Sequence, residues 1–219
     1  MKFTNKTEYT VLVGLLLAAA AVSSARADAL VVYTFTSPSP FAATTVGSGV
    51  SSASSITFGG FAGQWTEPTG VLQSNPGAVT TAAGAAASGK YATFTLTFSG
   101  PMNLSSFTLD GGYGQFANPA GYVLESSVDG YASILSTADF TTQVPTFTTK
   151  TVGLSGASFQ GLSTISFRIF SYVKNSGFEQ FDNITVNGAL APVPEPGALA
   201  LAGIGMAALF RSMASRRRN

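Results

Sequence analysis

Carboxylates, hydroxyls and aromatic rings are the functional groups that this chain offers, because its 219 residues include no histidine and no cysteine. The absence of imidazole excludes Ser-His-Asp and Cys-His catalysis, as well as zinc or iron held by histidine. The absence of thiols means that no disulfide framework supports the fold. Most hydrolase mechanisms are excluded on composition alone.

Two glutamates are the candidates for acid–base chemistry. A glycosidase needs two carboxyl groups about 5 to 10 Å apart in a cleft, and Glu125 and Glu179 would be that pair. Spacing along a sequence does not fix such a separation, and only eight acidic residues lie between positions 28 and 191. We therefore expect that the chain is not an enzyme, and a carbohydrate-active enzyme is the alternative.

Hard oxygen ligands are the only kind that the sequence offers to a metal, which makes Ca²⁺ the candidate ion. Four acids lie near predicted turns or strand ends: Asp110, Asp129, Glu179 and Asp182. Pairing of the first and last strands would bring Asp28 beside Asp182, and we expect these two to be the ligands. Turn formation is the alternative for Asp110 and Asp129, since Asp before Gly favours turns.

Three aromatic residues are the candidates for stacking against sugar rings: Trp65, Tyr113 and Tyr172. Each offers a flat apolar face with a polar tip. Tyr113 also lies in a glycine-rich segment from 111 to 114, and loops often carry function. The alternative is that these rings are structural, because Trp and Tyr in small β domains are often buried.

Alternation of apolar and polar residues predicts strands along most of the chain between 30 and 187. In Tyr91–Ser99 the residues Phe94, Leu96 and Phe98 share one face, and three threonines share the other. One strand of threonines is not the flat array that ice binding requires, and threonine is a good strand former. The other predicted strands are Leu30–Thr36, Ile56–Phe61 with Trp65, Leu104–Asp110, Tyr122–Ser126, Tyr131–Leu135, Phe147–Leu154, Leu162–Tyr172 and Phe178–Asn187.

The turn signals between these strands predict an all-β fold, an antiparallel two-sheet sandwich. Gly100-Pro101 is expected to end one strand, and Asp129-Gly130 to turn a hairpin. The segment Glu67–Gly89 reads as turns and low complexity, with at most one helical turn in its alanine run. An immunoglobulin-type topology also fits this spacing.

The C-terminus combines a rigid turn, a short apolar segment and a basic stop. The turn consists of Val193, Pro194, Glu195 and Pro196, and the basic residues are Arg211, Arg216, Arg217 and Arg218. Between them, Gly197–Phe210 would form a helix of roughly 21 Å at ~1.5 Å per residue, against a bilayer core of ~30 Å. Arginines favour the cytoplasmic side. The sequence thus predicts a marginal transmembrane helix.

This tripartite tail resembles the PEP-CTERM sorting signal of Gram-negative bacteria, with Pro194-Glu195-Pro196 as its defining triplet. The resemblance implies processing by an exosortase, a membrane protease associated with the production of extracellular polysaccharide. An ordinary single-pass anchor after a chance Pro-Glu-Pro is the alternative. A label for an ice-binding C-terminal domain can accompany such a tail, and it would be a name without an activity.

The N-terminus has the features of a secretory signal peptide. Lys2 and Lys6 precede the apolar run Val11–Val22, and Ala25 and Ala27 stand where a signal peptidase reads small residues. We therefore expect a signal peptide at 1–27, an exported β-sandwich domain at 28–191 and a sorting segment at 192–219. The expected partners are signal peptidase, exosortase, the membrane and extracellular polysaccharide.

The exported part is acidic although the whole chain has a formal net charge of +1. Its eight acids and four bases leave about −4, so no basic surface for nucleic acid is expected. The hairpin at 122–130 and the last strand at 181–186 resemble the jelly-roll domains of PEP-CTERM proteins and carbohydrate-binding modules. This resemblance implies a surface or matrix protein that adheres to polysaccharide; a purely structural matrix protein is another alternative.

Overall fold

The structure, a computed structural model, describes residues 27–36, 41–60, 65–66, 70–77, 79–114, 120–173 and 177–192, with only the backbone of 65–66. One compact unit spans Arg26–Ala191. Residues 1–26 of the predicted signal peptide and the segment 193–219, with its Pro-Glu-Pro turn, apolar run and arginines, lie outside the described residues. Within the described part, no helix is long and apolar enough to cross a membrane.

In the described residues of this unit there are twelve strands, one short α-helix and two 3₁₀ turns. The strands are β1 (Asp28–Tyr33), β2 (Thr45–Val46), β3 (Val50–Ala53), β4 (Thr57–Gly59), β5 (Trp65–Thr66), β6 (Leu72–Ser74), β7 (Tyr91–Tyr113), β8 (Ala120–Ser126), β9 (Ile134–Phe140), β10 (Thr148–Gly153), β11 (Leu162–Val173) and β12 (Glu179–Leu190). The helix is α1 (Ala82–Ala87). Its N-cap is Thr81, whose side-chain oxygen accepts a hydrogen bond from the Gly84 N–H at 3.1 Å.

The strands form two layers that share β7, and every pairing between named strands is antiparallel. The first layer, sheet I, has the order β3 and β4, the N-terminal half of β7, β11, β8, β9. The second, sheet II, has β10, the C-terminal half of β7, β12, then β1 and β2. Short β6 pairs with the start of β12. The predicted all-β sandwich is confirmed.

The predicted break at Gly100-Pro101 is wrong, because β7 runs through it for 23 residues. Its partners change there: Thr97 pairs with Thr164 of β11, whereas Asn103 pairs with Ala189 of β12. The proline carbonyl still accepts a hydrogen bond from the Ala191 N–H at 2.8 Å. The glycine–proline pair therefore lies where one strand passes from one sheet to the other.

Aromatic side chains fill the space between the sheets. Tyr33 of sheet II meets Phe94 of sheet I with ring centroids 4.9 Å apart, and Phe107 meets Phe167 at 5.2 Å. These rings are almost fully buried. Gly111 leaves room for Phe140, since a Cβ there would lie 2.1 Å from that ring. The inner faces form one apolar core, so any binding surface must lie on an outer face or at an end.

Candidate functional site

Arg168 lies at the centre of the outer face of sheet I. Strand alternation buries Phe167 and Ile169 in the core and directs Arg168 outwards. Across the strands, Arg168 is paired with Thr93 of β7 on one side and with Glu125 of β8 on the other. A cation and a carboxyl group thus stand side by side on this face.

The turn between β8 and β9 brings a tyrosine over this arginine. After the 3₁₀ turn Ser127–Asp129, Gly130 and Tyr131 both have positive φ, at 72° and 64°. The Tyr131 N–H closes the turn on the Ser126 carbonyl at 3.0 Å. Such a backbone costs a bulky residue roughly 1–3 kcal/mol, and strain of this kind clusters at functional positions.

Two tyrosine rings hold the guanidinium group. The Arg168 Cζ lies 3.7 Å from the ring centroid of Tyr131 and 4.3 Å from that of Tyr91. Tyr91 is itself supported by an edge contact with Phe170 at 5.5 Å. Both contacts of Arg168 are cation–π contacts, and no hydrogen bond or ion pair of this guanidinium occurs within the described residues. Its N–H donors are therefore available to an external acceptor. We call Tyr91, Thr93, Glu125, Tyr131 and Arg168 the Tyr131 site.

Glu125 supplies a hydrogen-bond acceptor beside these donors. It is 8 % exposed, and burial raises the pKa of its carboxyl group. The positive charge of Arg168 opposes this shift, while the negative charge of Asp129 adds to it. A ligand that lies along the row meets a guanidinium fork and a carboxyl group in succession, which suits a molecule rich in hydroxyl groups.

The surroundings of the Tyr131 site limit its extent. Helix α1 covers the neighbouring part of the same face, where Ala85 packs with Val123, Phe170 and Tyr172. On the other side, the threonine hydroxyls are already bonded: Thr93 donates to the Phe167 carbonyl at 2.7 Å, and Thr95 lies 2.7 Å from the Ser166 hydroxyl. The groups left for a ligand are therefore those of Arg168 and Tyr131, which are half-buried, and the edge of Glu125, which is 8 % exposed.

Tyr172, predicted to stack on sugar, is a buried structural residue instead. It is 4 % exposed beneath α1, so its ring offers no free face. Its hydroxyl donates to Asp139 Oδ1 at 2.6 Å. Burial first and this hydrogen bond second raise the pKa of Tyr172 to about 12. The ring and the hydroxyl both serve the fold.

Trp65 and Tyr113, the other predicted stacking residues, fall in one row of sheet II. Trp65 pairs with Ser74, Ser74 with Glu179, and Glu179 with Tyr113. Tyr113 is half-buried against Ala120 and Val173, and the side chain of Trp65 lies outside the described part. Their role in binding stays a prediction.

The predicted calcium pair is wrong in its register. β1 does pair with β12, as expected, but Asp28 stands opposite Gly188. Six residues of strand, about 20 Å at ~3.3 Å each, separate that position from Asp182. Asp182 instead faces Asp110, and the Asn183 amide donates to both carboxylates at 3.2 and 2.9 Å. No group of three or more acidic side chains suited to a metal occurs in the described ranges.

The two glutamates suggested as a catalytic pair do not share a cleft. Glu125 lies on the outer face of sheet I, on the same side as Val123, whereas Glu179 of sheet II is 0 % exposed and shares the inner face with Phe181. Neither oxygen of Glu179 makes a hydrogen bond of ordinary geometry. Burial raises its pKa well above the usual value, and the nearby Ser171 hydroxyl and Gly121 N–H offset this only in part. The pairing is therefore rejected.

Sequence reasoning missed the Tyr131 site, although a signal for it existed. In the predicted strand Leu162–Tyr172, Arg168 and Phe170 occupy positions that alternate with core residues. This pattern predicts a cation and an aromatic ring on the outer face. Tyr131 follows the predicted Asp129-Gly130 turn directly. Only the three-dimensional fold shows that this turn folds back onto Arg168.

Comparison with known proteins gives one match by sequence. Residues 192–218 match the family described as the PEP-CTERM protein-sorting motif. The chain therefore carries this motif at its C-terminus. No curated protein matches the chain.

Several solved structures are similar to the β-sandwich at low identity. The CBM22-1 xylan-binding domain of Xyn10C from Paenibacillus barcinonensis is 14 % identical, with a TM-score of 0.42 over 78 % of this chain and 100 % of that one. The K3 cleaved adhesin domain of Lys-gingipain from Porphyromonas gingivalis is 16 % identical, with a TM-score of 0.38 over 74 % and 99 %. The family 29 carbohydrate-binding module CBM29_1 from Piromyces equi is 8 % identical, with a TM-score of 0.39 over 77 % and 94 %. Similarity at this level carries no argument about a ligand.

Proposed function

We propose that this protein is exported and binds polysaccharide through the Tyr131 site, without cleaving it. The observation that carries the proposal is the strained Tyr131, which stacks on Arg168 beside Glu125. One face of the Tyr131 ring stacks on the guanidinium, and its other face would pack against the apolar face of a sugar ring. The guanidinium donates to sugar oxygens and Glu125 accepts from sugar hydroxyls.

A binding role fits the site better than a catalytic one. Glycoside hydrolysis uses two carboxyl groups on either side of one bond. Glu125 is the carboxyl group of the Tyr131 site, and Glu179 lies between the sheets. We therefore propose a non-enzymatic component of the extracellular polymeric matrix.

The route to that location follows from the two ends of the chain. We propose that signal peptidase cleaves after Ala27, that the apolar run Gly197–Phe210 anchors the chain in the membrane, and that an exosortase then processes the tail. Support comes from the sorting motif at 192–218 and from the small residues at Ala25 and Ala27. Mass spectrometry of the surface-exposed form tests this route, and an intact tail on that form would contradict it.

Affinity gel electrophoresis tests the binding function. The full chain, solubilised in detergent, should migrate more slowly in gels that contain its polysaccharide, and no new reducing ends should appear after prolonged incubation. Arg168→Gln should restore most of the mobility, while its thermal unfolding confirms that it is folded. Normal mobility in a broad panel of polysaccharides would contradict the proposed binding, and released reducing ends would contradict its non-enzymatic nature.

A further inference from the structure

Charge at the Tyr131 site bears on which polysaccharide it accepts. The site holds one guanidinium group, and Glu125 stands directly across the strand pair from it. Asp129 lies in the turn that carries Tyr131 and acts on Glu125 through its negative charge. One carboxyl group in the site, that of Glu125, and one at its edge, that of Asp129, therefore accompany a single cation.

Asp129 is held in its ionised form. It is exposed and accepts hydrogen bonds from the Ala132 N–H at 3.2 Å and from the Ser133 hydroxyl. The Ser133 hydroxyl bond is the main reason that the pKa of Asp129 lies below its usual value. At neutral pH this carboxylate stays charged at the edge of the site.

The guanidinium of Arg168 could form two parallel N–H bonds with a carboxylate, so its own geometry does not select against an acidic sugar. The charges around it do. Glu125 and Asp129 bring two carboxyl groups to this part of sheet I, and the exported part as a whole carries about −4. An anionic chain would meet repulsion at the site and at long range.

We infer that the polysaccharide is uncharged, and that Glu125 and Asp129 select against acidic chains. This inference rests on the proposed polysaccharide binding. Specificity then comes in part from a repulsive element, since the two carboxyl groups disfavour the competing ligand more than they strengthen the correct one. A hydroxyl-rich neutral chain uses Glu125 as an acceptor, whereas a uronate chain does not.

A matched pair of polymers tests this inference. A neutral polysaccharide that retards the full chain is compared with the same polysaccharide after oxidation of its primary hydroxyls to carboxylates. We expect the oxidised polymer to bind at least tenfold more weakly, with the difference shrinking at high salt. Glu125→Gln and Asp129→Asn should each reduce that difference, whereas Thr185→Ala on sheet II should not change it.

The outcomes separate the two proposals. If neither polymer nor any other polysaccharide retards the chain, the proposed function itself fails. If the oxidised polymer binds as well as or better than the neutral one, the charge selection is overturned while polysaccharide binding stands. If the difference persists unchanged in both folded variants, Glu125 and Asp129 are not the residues responsible.

Discussion

The outer faces of the two sheets differ in chemistry although β7 contributes to both. On sheet I that face carries tyrosine, arginine and glutamate, and α1 covers part of it. On sheet II one row across five strands reads Thr151, Thr108, Thr185, Val32 and Thr45. The same face also carries Asp110 and Asp182, whose carboxylates both accept from the Asn183 amide. These groups make a polar surface, whereas the rings beside a charged pair on sheet I make a site that can orient a ligand. The contrast supports the proposal that binding occurs on sheet I.

The largest expected effect concerns stability. Phe170→Ala should lower the free energy of unfolding by about 3–5 kcal/mol, because Phe170 is buried between sheet I and α1. Thr185→Ala, on the outer face of sheet II, should change it by less than about 0.5 kcal/mol. Urea unfolding measures both. Similar losses in the two variants would mean that the outer faces do not differ in packing.

Glu179→Gln tests whether the carboxyl group buried between the two sheets is protonated. Because burial raises the pKa of Glu179, the folded state keeps its proton when the unfolded state has lost it. The stability associated with this proton is complete below the ordinary pKa of glutamate and falls as the pH rises, by about 1.4 kcal/mol per pH unit until the folded pKa is reached.

We therefore expect the wild type to lose stability between about pH 5 and neutral pH, and Glu179→Gln to remove most of that loss. Urea titrations across this range measure it, and Glu125→Gln on the outer face, where the carboxyl pKa is raised but not well above the usual value, should remove less of the loss. Wild-type stability that stays constant or rises over the range would show that Glu179 is not held protonated. Polysaccharide retention should be unaffected by Glu179→Gln, because the residue is internal.

A smaller effect on polysaccharide retention is expected for substitutions in the row of sheet II that holds Trp65 and Tyr113, away from the Tyr131 site. Trp65→Ala and Tyr113→Ala, at the two ends of one row of sheet II, should change retention by less than about twofold. Affinity electrophoresis gives the answer. A loss comparable with that of Arg168→Gln would move the binding surface to that row and bear out the prediction that these two residues bind sugar.

The sequence predicted the long strands β1, β8, β11 and β12, because period-two alternation reflects burial on one face. It missed the short strands β2, β3 and β6, whose few residues show no clear alternation. It also predicted that the first and last strands pair. It could not predict their register, because Asp28 meets Gly188 through a ladder whose register shifts between Ala29 and Val31. Nor could it show that β7 changes its partner strands at Gly100-Pro101. Glycine and proline are typical of a turn as well as of a place where a strand passes from one sheet to another.

The site residues were harder to predict than the fold. Tyr172 is of a residue type that often binds ligands, and only the position of α1 reveals that its ring is covered. Tyr131 has no strong signal alone, because its role depends on a left-handed backbone that glycine would normally supply. In both cases the role of the tyrosine depends on long-range contacts, and these do not show in the local sequence pattern.

Retention of Tyr131→Ala in a polysaccharide gel, beside Thr185→Ala, tests the central claim most directly. The first substitution removes the ring that the turn holds over Arg168, and the second removes a hydroxyl from the opposite outer face. We predict that Tyr131→Ala weakens retention roughly tenfold, equivalent to about 1.4 kcal/mol, while Thr185→Ala migrates like the wild type. Equal retention of wild type and folded Tyr131→Ala would contradict the assignment of binding to sheet I.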